Sequence, residues 1–219
     1  MNLSTDKQKK SWAMLSLSHK EGLVELAKKL VSKNFSLLAT DGTRKYLEAH
    51  QIKAHSVSSL SQIPELIGGR VKSLHPYLYA GILYKREEKS HCKELEKYSL
   101  PSIDLVICNL YPFREEVLEQ KKKLEEASEF IDIGGPSLIR AAAKNWPYCL
   151  PVTCPSDYPK LSQALDKGLK QLSKNERLYF AKKAFDLTAK LDQNISMFLS
   201  HELNKAESKQ EELPESISF

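Results

Sequence analysis

The densest chemistry in the sequence lies in one segment, Ile131-Asp132-Ile133-Gly134-Gly135-Pro136-Ser137-Leu138-Ile139-Arg140-Ala141-Ala142-Ala143-Lys144-Asn145. Its Gly-Gly-Pro opening leaves backbone N–H groups free at a helix start, a place that attracts anions. Asp132 stands just before that start. Arg140 and Lys144 share one helical face, and the alanines between them let the helix pack closely. Two readings stay open for each group: Asp132 as part of a ligand site or a helix cap, Lys144 as part of a ligand site or a solvated cation.

Four other segments carry groups suited to an anionic ligand. Ser18-His19-Lys20 and Thr40-Asp41-Gly42-Thr43 each follow a strand-like run and precede a helix-like one. Hydroxyls, backbone donors and a lysine make a phosphate cradle, and the competing role of Ser18 and Thr43 is plain helix capping. Arg70-Val71-Lys72-Ser73-Leu74-His75-Pro76 follows the Gly68-Gly69 pair. If extended, it aims Arg70 and Lys72 to one side; the alternative is an ordinary surface loop, with His75 a structural hydrogen-bonding residue. Asn109-Leu110-Tyr111-Pro112-Phe113 closes the most apolar run, where Asn109 and the Tyr111 hydroxyl can each donate or accept.

The elements that must hold these groups alternate. Trp12–Ser18, Phe35–Thr40, Ile103–Leu110 and Cys149–Cys154 read as strands; Ile103–Leu110 has the continuous apolar character of one covered on both faces. Glu21–Lys33, Thr43–His50 and Ser137–Asn145 read as helices, Arg114–Ser128 as a charged helix, and Ser156–Leu203 as mostly helical. The Lys121-Lys122-Lys123 run is a solvated face. The fold class is therefore α/β: a doubly wound, mostly parallel sheet with helices on both faces. Residues 11–203 form the domain, and 204–219 read as a loose polar tail.

Composition narrows the function. The chain has 219 residues, 41% hydrophobic and 28% charged, with a formal charge of +5, an ordinary globular balance that excludes disorder as the main state. The basic excess is mild and scattered, which suits an anionic small molecule and not nucleic acid. No run approaches a membrane span, and Met1–Lys10 has no signal-like stretch. The four cysteines (Cys92, Cys108, Cys149, Cys154) contain no Cys-x-x-Cys pair, so zinc and a disulfide framework are not expected and a cytoplasmic location is. Glycine is scarce, at 8 residues. Gly42, Gly68-Gly69 and Gly134-Gly135 are therefore places where backbone freedom is expected to matter.

Taken together, and in this order, these segments resemble IMP cyclohydrolase, the N-terminal domain of the bifunctional AICAR transformylase/IMP cyclohydrolase family. The resemblance runs from about Trp12 to Leu203. Ser18-His19-Lys20 and Thr40–Thr43 are shared loosely with the wider methylglyoxal-synthase-like superfamily; the Arg-Val-Lys-Ser-Leu-His-Pro, Asn-Leu-Tyr-Pro-Phe and Asp-Ile-Gly-Gly-Pro-Ser segments are the specific ones. It implies a methylglyoxal-synthase-like fold and dehydrative ring closure of formyl-AICAR to IMP, without cofactor or metal. It implies Lys144 as proton donor and acceptor, with Lys72, Tyr111 and Asp132 around the reacting atoms. Nucleotide binding is carried over to Ser18, His19, Lys20, Thr40, Asp41, Gly42, Thr43, Arg70, Lys72, Ser73, Cys108, Asn109, Asp132, Ile133 and Gly134. The chain departs from the family at His19, where Asp is usual, and at Thr40-Asp41-Gly42-Thr43, where Ser-Gly-Gly-Thr is usual. An acidic Asp41 beside a phosphate would repel it unless its side chain turned away. The family continues into a transformylase domain, so the expected partners are the nucleotide itself, a second copy in a homodimer, and a separate transformylase polypeptide. The contrasting expectation is a non-catalytic phosphate- or nucleotide-sensing domain of the same superfamily, which would keep the cradle without Lys72, Tyr111, Asp132 and Lys144 together.

Overall fold

A computed structural model describes residues 11–61, 67–71 and 73–211, and side chains as far as Lys205. Lys72 and the Met1–Lys10 segment lie outside the described residues.

Apolar runs with β-branched residues build a five-stranded sheet: β1 (Ser11–Ser16), β2 (Phe35–Ala39), β3 (His55–Ser56), β4 (Ile103–Cys108) and β5 (Leu150–Val152). Their order is β3-β2-β1-β4-β5, and all four pairings are parallel. The connections are α1 (Leu23–Ser32), α2 (Asp41–Ala49), α3 (Val57–Ser61), α4 (Pro76–Leu83), α5 (Lys89–Lys97), α6 (Leu124–Ser128), α7 (Gly134–Lys144), α8 (Tyr158–Lys167) and α9 (Lys174–Glu211). β1 starts a winding that moves out through β2 and then reverses to β4 on its other side. The crevice at that reversal, outside the carboxyl ends of β1 and β4, is where ligands bind in such sheets.

Period-two alternation assigns the strands to two cores. Trp12 and Met14 of β1 face one cluster with Val106, Leu78, Ile82, Leu138, Ala142 and Phe198. Ala13 and Leu15 face the other, with Leu37, Ile107, Leu23, Leu30 and Leu161. Every residue of β4 except Asp104 is buried, as the continuous apolar run requires. Asp104 is taken up by an ion pair with Arg86.

Three expectations differ from the structure. Arg114–Ser128 is not one helix: Lys121 adopts φ 50°, which ends a wide turn at Arg114–Glu119 before α6 begins. The long C-terminal helix α9 continues to Glu211, so 204–211 are helical and not a loose tail; 212–219 lie outside the described residues. Gly42 sits within α2 with open space where a Cβ would go, so backbone freedom does not explain it. Gly68 does adopt φ 59°, and Gly22 caps α1 at φ 66° where a Cβ would come 3.2 Å from the Tyr158 ring. Among the described residues, no helix is long and apolar enough to cross a membrane.

Candidate active site

The carboxyl ends of β1, β2 and β4 are tied to one another by side chains placed just beyond each strand. Thr43, in the first turn of α2, is buried and its Oγ1 accepts from the Leu17 amide at 3.0 Å. That bond joins the loop after β2 to the loop after β1. Asn109 joins β1 to β4: its Oδ1 accepts from the Ser18 amide at 2.7 Å, from Ser18 Oγ at 3.0 Å and from the His19 amide at 3.4 Å. Its Nδ2 donates to the His19 carbonyl at 2.7 Å, and Ser18 Oγ also reaches the Leu110 carbonyl at 3.0 Å. Asn109 thus shapes the Ser18–Lys20 loop with both ends of its amide. Capping is not the role of Ser18 or Thr43, because the helix-cap positions belong to Gly22 and Thr40.

The α7 start joins the same edge. Asp132 Oδ1 accepts from the Gly135 amide at 3.0 Å, closing the turn that opens the helix. A Cβ on Gly135 would overlap the Asp132 carboxylate and come 2.7 Å from Leu110, so here glycine is required by close approach and not by dihedral freedom. The buried Ser73 hydroxyl lies 2.8 Å from where a Gly134 Cβ would stand, which brings Ser73 to the same helix start. Cys108 ends β4 beneath this turn; its thiol is fully enclosed, and burial pushes its pKa up, with the Asp132 charge adding to the effect. Any contact from Cys108 to a ligand therefore comes through its backbone.

Charge at this edge is mixed. Lys20 folds back so that Nζ lies 3.2 Å from the Ser18 carbonyl, and it stands 5.8 Å from the Tyr46 ring centre. Asp41 leans to Arg44, with 3.6 Å between Oδ1 and Nε; the repulsion expected of a carboxylate in a phosphate cradle is thereby offset by a neighbouring cation. Arg70 pairs with Glu129 at 2.9 Å on the open surface, a pairing that a phosphate would have to replace. His19 and Tyr111 are exposed, Tyr111 at 52% and Ile133 at 56%. His75 caps α4, its Nδ1 accepting from the Tyr77 amide at 3.2 Å, a structural role.

One expectation is not met within a single chain. Lys144 ends α7, whereas Asp132 precedes its start; an 11-residue helix separates its ends by about 15 Å, beyond the reach of one lysine side chain. Lys144 is exposed, and the next residue, Asn145, donates to the carbonyls of Ile82 and Tyr84 at 2.7 and 3.0 Å, where α4 ends. That end of α4 packs on Pro101 and Ile103, the start of β4 and hence the opposite edge of the sheet. Tyr111 and Asp132 are placed at the carboxyl edge; Lys72 lies outside the described residues. Because Lys144 is remote from the edge that gathers these groups, Lys144→Ala should leave the affinity for the nucleotide that the resemblance implies, IMP, within about threefold of the unsubstituted value, under about 0.7 kcal/mol. Isothermal titration reads this directly, and a larger loss would place the lysine at the ligand.

Sequence reasoning passed over Tyr79 of α4. Its hydroxyl is buried at the first turn of α7, but it sits in an apolar helical run, and only the packing of α4 on α7 reveals it.

Comparison with known proteins adds the following. The MGS-like domain family matches residues 22–137, and the AICARFT/IMPCHase bienzyme family matches residues 142–219. The bifunctional purine biosynthesis protein PurH of Thermoanaerobacter sp. strain X514 is 40% identical over 207 residues, covering 94% of this chain and 39% of that protein. PurH of Clostridium kluyveri is 44% identical over 191 residues, covering 87% of this chain and 38% of that protein. The chain thus spans about two fifths of the length of these relatives. The crystal structure of ForH superposes with a TM-score of 0.74 at 30% identity, covering 85% of this chain and 97% of ForH.

Proposed function

The chain belongs to the MGS-like domain family, and on that premise we propose that it is an IMP cyclohydrolase, closing the ring of formyl-AICAR with loss of water as the last step of purine nucleotide synthesis. The observation that carries the reading is the convergence of Ser18, Thr43, Ser73, Asn109 and Asp132 on one crevice, in a chain 40% identical to PurH over 94% of its length. The formyl-transfer activity of the longer relatives is not assigned to this chain.

The chemistry fits that crevice. The carboxamide nitrogen of the substrate attacks the formyl carbon of the same molecule, so holding one conformer supplies much of the acceleration. The phosphate is placed against the Ser18–Lys20 loop and the start of α2, where N–H groups and Lys20 face an anion. The base then extends toward Tyr111 and the start of α7. As the C–N bond forms, the formyl oxygen gains negative charge, which hydroxyl and backbone donors stabilise. The carboxamide nitrogen and then the formamide nitrogen each lose one proton, the oxygen gains both, and it leaves as water as the ring C=N bond forms. Asp132 is the carboxylate placed to move a proton there, with Tyr111 as donor and Lys72 as the neighbouring cation the family resemblance supplies.

Incubation with formyl-AICAR should produce IMP, followed by its ultraviolet absorbance, with a chelator present and no folate added. Among the described residues, no three His, Cys, Asp or Glu side chains converge as a metal site would need. IMP binding without any turnover would instead make the chain a nucleotide-sensing domain. Turnover lost to a chelator and restored by metal would overturn the metal-free route.

A further inference from the structure

We propose that Asp41 is a specificity-determining residue that limits how many phosphates the crevice accepts, admitting a nucleoside monophosphate and excluding a diphosphate. The inference rests on the ring-closure reading, which places one phosphate between the Ser18–Lys20 loop and the start of α2. Three observations carry it. The floor of that place is closed. Thr43 is buried and its Oγ1 accepts from the Leu17 amide at 3.0 Å, while Thr40 Oγ1 stands 3.4 Å from Thr43 Oγ1 and 3.5 Å from Ser16 Oγ. A second phosphate pushed inward would break the joint between the loops after β1 and β2, so it has to lie along the rim. The rim carries an incompletely neutralised carboxylate. Asp41, the first residue of α2, has a side chain 41% exposed. Arg44 gives its two short contacts to Glu48, at 2.7 and 2.8 Å, and meets Asp41 at 3.6 Å, beyond hydrogen-bond length. Two carboxylates thus share one guanidinium, and the trio keeps a net negative charge. Lys20, finally, is committed to its own loop: its Nζ lies 3.2 Å from the Ser18 carbonyl and 3.5 Å from the Leu17 carbonyl.

The two ligands meet this arrangement differently. A monophosphate sits on the N–H groups of the loop and the helix start, whose attraction for an anion exceeds the repulsion of one partly offset carboxylate. A diphosphate uses up the same donors with its first group and brings further negative charge beside Asp41. Near a protein surface, where water screens incompletely, that repulsion is large enough to decide which ligand stays. Such a filter leaves the crevice to the substrate when nucleoside diphosphates with the same base are present. An acid in the first turn of a helix also favours the helix itself, so ligand charge and helix stability have to be read separately.

Calorimetric titration of the full chain with IMP and with inosine 5′-diphosphate, in buffer containing a chelator, tests this. The unsubstituted protein should bind IMP about tenfold or more tightly than the diphosphate. Asp41→Asn should tighten the diphosphate by about five- to tenfold and IMP by no more than about threefold, narrowing the ratio. Asp41→Glu, which keeps the charge, should preserve the ratio. Glu48→Gln releases Arg44 to Asp41 and should narrow the ratio as well, adding little to Asp41→Asn because both act through one charge. The narrowing should shrink as salt is raised. Equal affinity of the unsubstituted protein for both ligands would overturn the inference, as would a ratio that Asp41→Asn leaves unchanged. A lower melting temperature in Asp41→Asn with neither affinity altered would make the residue a partner of the helix dipole alone. Failure of the unsubstituted protein to bind IMP would remove the ring-closure reading and the filter with it; IMP bound and formed, with a ratio insensitive to Asp41, would remove the filter alone.

Discussion

Asp132→Ala lowers kcat for ring closure by about 10²–10⁴-fold, the worth of a general acid–base group. Two effects are combined in that loss, since the alanine also removes the bond from the Gly135 amide. Asp132→Asn separates them. The asparagine carbonyl can still accept from Gly135 and keep α7 started, while the side chain can no longer take up or release a proton. Steady-state turnover of formyl-AICAR by both variants, with IMP binding measured alongside, gives the division. A strong loss in both assigns proton transfer to Asp132. Full activity in Asp132→Asn beside a weak Asp132→Ala would make the residue a helix cap and nothing more.

Asn109→Ala weakens IMP binding by about 30- to 150-fold, corresponding to about 2–3 kcal/mol. The side chain does not need to touch the nucleotide for this. It holds Ser18 and His19 through contacts of 2.7–3.4 Å, and without it the backbone donors that face the phosphate lose their fixed shape. Asn109→Asp is the instructive partner. It keeps the acceptor toward Ser18, loses the donor toward the His19 carbonyl, and adds a negative charge. Its defect should therefore shrink as salt is raised, whereas that of Asn109→Ala should not. An IMP dissociation constant unchanged in both would show that the loop keeps its shape unaided.

The sequence conveyed those parts of the molecule that local pattern controls. The run Ile103–Leu110 announced a strand buried on both faces, and β4 is one. Gly-Gly-Pro announced the neighbourhood of the start of α7, which begins at Gly134, three residues before the Ser137 that the pattern suggests. What local pattern does not control was read less well. The interruption at Gln120–Lys123, with Lys121 in a left-handed conformation, divides a segment whose composition is uniformly helical. The two residues of β3 are a strand only because β2 lies beside them. For the site, the binding loops were legible because strand ends carry them. Lys144 stands apart from Asp132 within one chain, because the segment between them looks short until the helix it forms is measured in ångströms. Tyr79 was invisible, since nothing in its own segment marks a phenol whose hydroxyl lies beside Ser137 of α7.

The bonds that create the crevice join distant parts of the chain: Ser18 to Asn109 spans 91 residues, and Leu17 to Thr43 spans 26. β1 itself is flanked by β2 and β4, so the centre of the sheet is complete only when residue 108 has paired with residue 16. Such a topology delays its reward: loop-closure entropy is lost before long-range contacts return anything. A chain that has formed only its first two strands thus has half a cradle and no Asn109 to shape it. A nucleotide bound to the finished crevice, as proposed, has nothing to hold in any earlier form. Its binding free energy is therefore added wholly to the completed fold, and the ligand acts as a late-stage arbiter of whether the chain has closed correctly.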